Sequence, residues 1–126
     1  MIDFNENGLF TKLKKVPNTS FGVMINDFLM DDEKIIASYQ STKDGIVFTT
    51  KRLIAINTQG MTGMKKDFTS IPYNKINSFS LSTAGTFDVD SQLEIHISTT
   101  EKIKLERTDT TIMKDICKII STYTLK

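Results

Sequence analysis

Residues 43–82 read KDGIVFTTKRLIAINTQGMTGMKKDFTSIPYNKINSFSLS. Short apolar runs follow one another here, separated by glycine-bearing turns, and no helix-length pattern interrupts them. Ile46–Thr50 and Arg52–Asn57 (RLIAIN) read as two strands. The loop Thr58–Gly63 then offers Gly60 and Gly63 for the positive φ of a hairpin turn. Lys65–Pro72 is the next strand, which Pro72 must end or place at an edge because proline has no N–H to give a ladder. Lys75–Ser82 follows. The stretch is a small antiparallel sheet.

Working outward, Glu33–Ser41 (EKIIASYQS) is the preceding strand, joined through Thr42-Lys43-Asp44-Gly45. Downstream, the loop 83–90 leads to Gln92–Thr99, where Leu93, Ile95 and Ile97 alternate with Glu94, His96 and Ser98, so one face is buried and one wet. Glu101–Arg107 completes a series of seven strands over residues 33–107, with Ile103 and Leu105 inward. The period then changes. Asp109, Thr110 and Thr111 supply N-cap candidates, and Ile112, Ile116, Ile119 and Tyr123, widened by Met113 and Ile120, make an amphipathic helix over 110–123. Before the strands, Phe21, Met24, Ile25, Phe28 and Leu29 recur at helical spacing over Thr19–Met30. Gly22 weakens that helix by about 1 kcal/mol relative to alanine, so it needs tertiary packing. Val16-Pro17-Asn18 breaks any earlier helix, and residues 1–18 are expected to be a loosely ordered N-terminal segment ahead of a single domain over 19–126.

Local sequence identifies which helix-plugged β architecture this is. Asp44–Ile54 (DGIVFTTKRLI) resembles the strand-turn-strand of the bacterial pleckstrin-homology family, formerly a domain of unknown function. So do Gln59-Gly60-Met61-Thr62-Gly63 with Lys65, Ser70-Ile71-Pro72-Tyr73, Ile76 with Phe79-Ser80, and Thr83-Ala84-Gly85 with Phe87-Asp88. The resemblance covers about 32–123. It implies a mainly β (α+β) fold: a pleckstrin-homology-like barrel of seven antiparallel strands in two roughly orthogonal sheets, capped by a C-terminal helix, with a short helix before the first strand. It also implies a non-catalytic domain with a tendency to form homo-oligomeric rings.

Composition bounds the function. The 126-residue chain is 39% hydrophobic and 25% charged, with a formal net charge of +1. That is an ordinary globular composition, long enough to bury a core without staples, and it excludes strong global steering toward nucleic acid. Cys117 is the sole cysteine, which rules out an internal disulfide and fits a reducing compartment. No apolar run reaches membrane-spanning length, and the acidic N-terminus lacks the features of a secretory signal or a myristoylation site. A cytoplasmic location is the expectation.

The residues that could carry chemistry are few. Eukaryotic pleckstrin domains grip phosphoinositides with several cations around the first two strands; here that loop offers Lys43 beside Asp44. Lys43, Arg52, Lys65 and Lys66 are the candidate anion-binding residues, with Lys12, Lys14 and Lys15 as further surface charge. They leave open a peripheral module that binds anionic lipid head groups. For Arg52 the alternative is a side chain laid along the sheet with its head on a carboxylate or carbonyl. Asp88 and Asp90 are too few oxygens for a hard-cation site. His96 has no second histidine and Cys117 no evident base, so no catalytic residue, metal or cofactor is assigned. Phe21, Met24 and Phe28, and the hydroxylated strand residues Ser78, Ser80 and Ser82, are the candidate oligomer or partner contacts. The serine strand suits either a sheet edge or an internal strand with one wet face. The expectation is a self-associating interaction module whose partner is a second copy, or another protein, and not nucleic acid.

Overall fold

The computed structural model describes residues 2–4, 8–59, 65–83 and 91–125. The Gly60–Gly63 turn and the loop residues Phe87, Asp88 and Asp90 lie outside these.

The strands are β1 (Leu9–Thr11), β2 (Lys14–Val16), β3 (Ile35–Ser41), β4 (Asp44–Thr49), β5 (Arg52–Gln59), β6 (Lys65–Pro72), β7 (Ser78–Ser82), β8 (Gln92–His96) and β9 (Lys102–Glu106). The helices are α1 (Thr19–Ile25) and α2 (Thr110–Thr124). Short 3₁₀ turns follow α1 at Asn26–Phe28 and β6 at Tyr73–Lys75. The order β2-β3-β4-β5-β6 makes one sheet and β1-β9-β8-β7 the other. Among the described residues the two sheets stay separate rather than closing into one cylinder.

Expected and observed elements agree from β3 onward, with ends that shift by a few residues: β4 starts earlier, at Asp44, and β5 runs on to Gln59. The expected helix 19–30 stops at Ile25 and continues as a 3₁₀ turn, and the expected strand 75–82 begins at Ser78. The N-terminal segment departs most from expectation. Residues 9–16 form β1 and β2, which raise the strands to nine among the described residues. β1 lies parallel to β9, with Leu9 opposite Lys104, so the fold is not purely antiparallel. β2 runs antiparallel to β3, with Lys14 opposite Gln40. Lys12, at φ 54°, supplies the left-handed bend that lets one segment leave the four-stranded sheet and enter the five-stranded one. Ile2, Phe10 and Leu13 are buried in the core, and this burial holds the segment in place. Gly8 makes the close approach possible: a Cβ there would come within 2.7 Å of the Phe4 carbonyl oxygen and 2.8 Å of that of Lys102.

The main core lies between the sheets and is plugged by α2. Ile46, Phe48, Leu53, Ala55, Leu93, Ile95, Ile103 and Leu105 meet Met113, Ile116 and Ile120 of the helix there. Each such side chain contributes about 1.5–3 kcal/mol by leaving water. Asp109 caps α2, its carboxylate accepting the Thr111 N–H at 2.7 Å.

The other face of the five-stranded sheet is covered too. Val47, Ile54 and Ile56 point away from the main core and pack with Phe21 and Ile25 of α1. Successive strand residues face opposite ways, so the unbroken runs Ile46-Val47-Phe48 and Leu53-Ile54-Ala55-Ile56 are what a strand buried on both faces requires. The Phe21 ring lies on Gly45, where a Cβ would overlap it.

Candidate functional site

Among the described residues the candidate site is built from charged and exposed side chains. Arg52 begins β5, and Glu33 lies in the turn before β3. Arg52 Nε donates to Glu33 Oε2 at 2.8 Å and Nη2 to Oε1 at 2.7 Å, a two-pronged ion pair. Nη2 also donates to the Phe28 carbonyl at 3.2 Å and Nη1 to the Ser70 hydroxyl at 3.2 Å. The guanidinium sits 5.8 Å from the centre of the Phe28 ring. Thr49 donates from Oγ1 to Glu33 Oε2 at 2.6 Å and accepts the N–H groups of Lys51 and Arg52 at the β4–β5 turn. The Arg52 guanidinium holds the Glu33 carboxyl at about 2, below its usual 4.5; burial opposes this, and the Thr49 hydroxyl and Met30 N–H assist it. Arg52 is therefore an internal clamp between β5, β6 and the 28–33 turn, and the anion-binding role expected of it is withdrawn.

The remaining candidate cations share one end of the five-stranded sheet. Lys66 pairs in register with Thr58 and donates from Nζ to the Thr58 hydroxyl at 3.2 Å. That hydroxyl donates to the Lys43 carbonyl at 2.8 Å, so Lys43 and Lys66 flank one side chain. Lys65 lies opposite Gln59 at the same end. Lys12, Lys14 and Lys15 are exposed on and before β2. Asp44 and Asp67 are interleaved with the lysines; Asp44 accepts the Thr58 N–H at 2.8 Å.

The expected contact residues divide. Phe21 is 4% exposed and belongs to the packing beneath α1, so it is no surface contact. Met24 is half-buried against the same cluster. Phe28 is 39% exposed, with its ring edge-on to Phe68 at 5.7 Å. Sequence reasoning missed Val23, 82% exposed, and Met30, 57% exposed. Among the described residues, three of the five exposed large apolar side chains (Val23, Phe28 and Met30, against Leu9 and Leu125) lie in this one stretch, which decides where an apolar surface patch sits. Asp27, Asp31 and Asp32 of the same stretch are exposed too, Asp32 pairing with Lys51 at 3.3 Å.

Ser78, Ser80 and Ser82 are exposed on β7, and β7 is an edge strand, paired with β8 alone among the described residues. Phe79 and Leu81, alternating with them, pack against the main core. On the wet face of the same sheet, Glu94 accepts from Lys102 Nζ at 3.3 Å and lies 3.1 Å from His96 Nε2, so His96 belongs to a polar cross-strand network. Cys117 is half-buried on α2, and burial raises its thiol pKa, the opposite of what a nucleophile needs. Tyr73 donates its hydroxyl to the Thr49 carbonyl at 2.7 Å and stacks on Tyr123 with centroids 4.9 Å apart. Among the described residues, no three His, Cys, Asp or Glu side chains converge to hold a metal. No described helix is long and apolar enough to cross a membrane.

Comparison with known proteins places the chain in a family. The sequence profile described as bacterial PH domain matches residues 5–124. The uncharacterized protein YjqA of Bacillus subtilis strain 168 is 52% identical over 73 residues, which span 58% of this chain and 58% of that protein. A DUF1696-family protein with a pleckstrin-homology domain from Shewanella loihica PV-4 superposes with a TM-score of 0.79 at 33% identity, over 90% of this chain and 98% of that one. A pleckstrin homology domain from Shewanella amazonensis SB2B gives a TM-score of 0.70 at 38% identity, over 88% of this chain and 90% of that one.

Proposed function

The chain belongs to the bacterial PH domain family, and from that premise we propose a non-catalytic interaction module that assembles with copies of itself and presents one surface repeatedly. The observation that carries the reading is the apolar stretch Val23, Phe28 and Met30 left uncovered beside α1. Large apolar side chains left exposed close together along a small domain mark a candidate interaction surface. A contact of this stretch with a different surface of the next copy is head-to-tail, and it closes into a ring when the rotation allows it. Several weak contacts in a ring then act through avidity.

The test is light scattering on the protein and on Val23→Asp/Met30→Asp. The unmodified chain is expected to scatter as a multiple of its 14.3 kDa mass, and the double variant as a monomer with unchanged circular dichroism. A variant that stays assembled would remove this face as the contact.

A second reading rests on the lysine end. Lys43, Lys65 and Lys66 with Lys12, Lys14 and Lys15 are the exposed cations that would meet an anionic head-group surface, each lysine near such a membrane contributing about 1 kcal/mol. Co-sedimentation with phosphatidylserine vesicles that weakens as salt rises, and fails with phosphatidylcholine vesicles, supports it. Binding indifferent to lipid charge excludes it.

A further inference from the structure

Among the described residues the two sheets present four edge strands, β1, β7, β2 and β6. An edge strand exposes unpaired N–H and C=O groups and templates pairing with another chain unless it is short, charged, interrupted by proline or covered. Three of the four carry such a device. β1 is only three residues long. β2 is equally short and carries Lys14 and Lys15. β6 opens with Lys65-Lys66 and ends at Pro72. β7, Ser78-Phe79-Ser80-Leu81-Ser82, is five residues long, regular in its pairing with β8, uncharged and free of proline.

We infer that the outer edge of β7 is a docking site for an extended peptide segment of a partner protein, added to the four-stranded sheet as a further strand. Main-chain hydrogen bonds would supply the affinity, and the alternating side chains of β7 the selectivity. On one face the peptide meets Phe79 and Leu81, half-buried at the margin of the core, and apolar side chains are favoured there. On the other it meets the hydroxyls of Ser78, Ser80 and Ser82, which suit small uncharged polar side chains. No lysine or arginine lies on the strand to call for an anionic ligand.

A second copy of this chain is the competing occupant. A folded copy would meet β7 along five residues, whereas a stable protein interface engages about 20–30 residues a side. An unfolded segment needs no more than the strand itself. A single such contact is weak, and here the inference rests on the proposed assembly: repeated copies of the edge would hold a multivalent partner.

The experiment is an NMR titration of the isotope-labelled full chain with a blocked peptide of alternating threonine and valine. The control is a blocked peptide of the same length made of proline alone, which has no backbone N–H to give the ladder. Expected are shift changes centred on residues 78–82 and on β8, and amide exchange on the outward side of β7 slowed about tenfold once free peptide reaches ten times its Kd. The proline peptide should do nothing. Changes centred on α1 or β6, or none at millimolar peptide, overturn the inference. So does protection of β7 that grows with protein concentration alone, which would give the edge to a second copy. Repeating the titration on Val23→Asp/Met30→Asp, with its mass measured in the same sample, separates the two ideas. Peptide binding by a chain that never assembles keeps the site and removes the assembly; assembly without peptide binding does the reverse.

Discussion

Arg52→Leu is expected to lower the free energy of unfolding by about 3–5 kcal/mol at neutral pH, because it strands a carboxylate that has nowhere to go. The Glu33 side chain is 0% exposed, and Arg52 is its cation at 2.7 Å. Removing the guanidinium also releases the Phe28 carbonyl and the Ser70 hydroxyl. Urea titration should show the midpoint fall with the slope unchanged. The companion variant Glu33→Met/Arg52→Leu removes both charges and should recover most of the loss, since an apolar pair of similar volume replaces a buried ion pair at little cost. A loss under about 1 kcal/mol in the single variant would mean that the pair is solvated like an ordinary surface bridge.

The same pair sets an acid limit. Glu33 titrates at about 2 when folded against 4.5 as its usual value, so the unfolded chain takes up the proton first as pH falls. Its contribution is complete above about pH 4.5 and is lost progressively between there and pH 2, amounting to about 3 kcal/mol by linkage. In Arg52→Leu this acid-dependent part should largely vanish, which unfolding curves at pH 7, 4 and 3 would resolve.

Gly45→Val is expected to cost about 3 kcal/mol, at the upper end for overpacking a filled site. The new side chain would occupy the place of the Phe21 ring, so α1 must lift from the five-stranded sheet or the strand must bend. Phe21→Ala alone should cost about 3–5 kcal/mol through the space it empties. Combined, the two should cost clearly less than their sum, because valine enters the space the ring has left, with a coupling of about 1–3 kcal/mol. Strict additivity in thermal or urea unfolding would show that α1 does not seat on Gly45.

The elements most legible in the sequence were those with one wet face. Leu93, Ile95 and Ile97 alternate with polar neighbours, and β8 appears where that alternation begins. Asp109 with the isoleucine stripe after it gave α2 almost to the residue. What escaped was information held in long-range partners. Leu9-Phe10-Thr11 and Lys14-Lys15-Val16 are too short to show a period, and they become strands only because β9 and β3 offer edges to pair with. Val47, Ile54 and Ile56 did carry a signal: two adjacent strands without polar alternation need cover on both faces, and α1 is the nearest amphipathic segment to give it. Taken that way, Phe21 belongs inside, and the large apolar side chains left exposed in this stretch include Val23 and Met30, beyond the expected face. Arg52 was readable as either clamp or anion ligand, and Glu33, nineteen positions away, decides between them.

Assembly is the claim on which the functional account stands, and native mass spectrometry of the unmodified chain at tens of micromolar in volatile buffer tests it most directly. A closed head-to-tail ring predicts one dominant species at a whole-number multiple of 14.3 kDa, together with its loss in Val23→Asp/Met30→Asp. A spectrum holding only the 14.3 kDa monomer across that concentration range would contradict it.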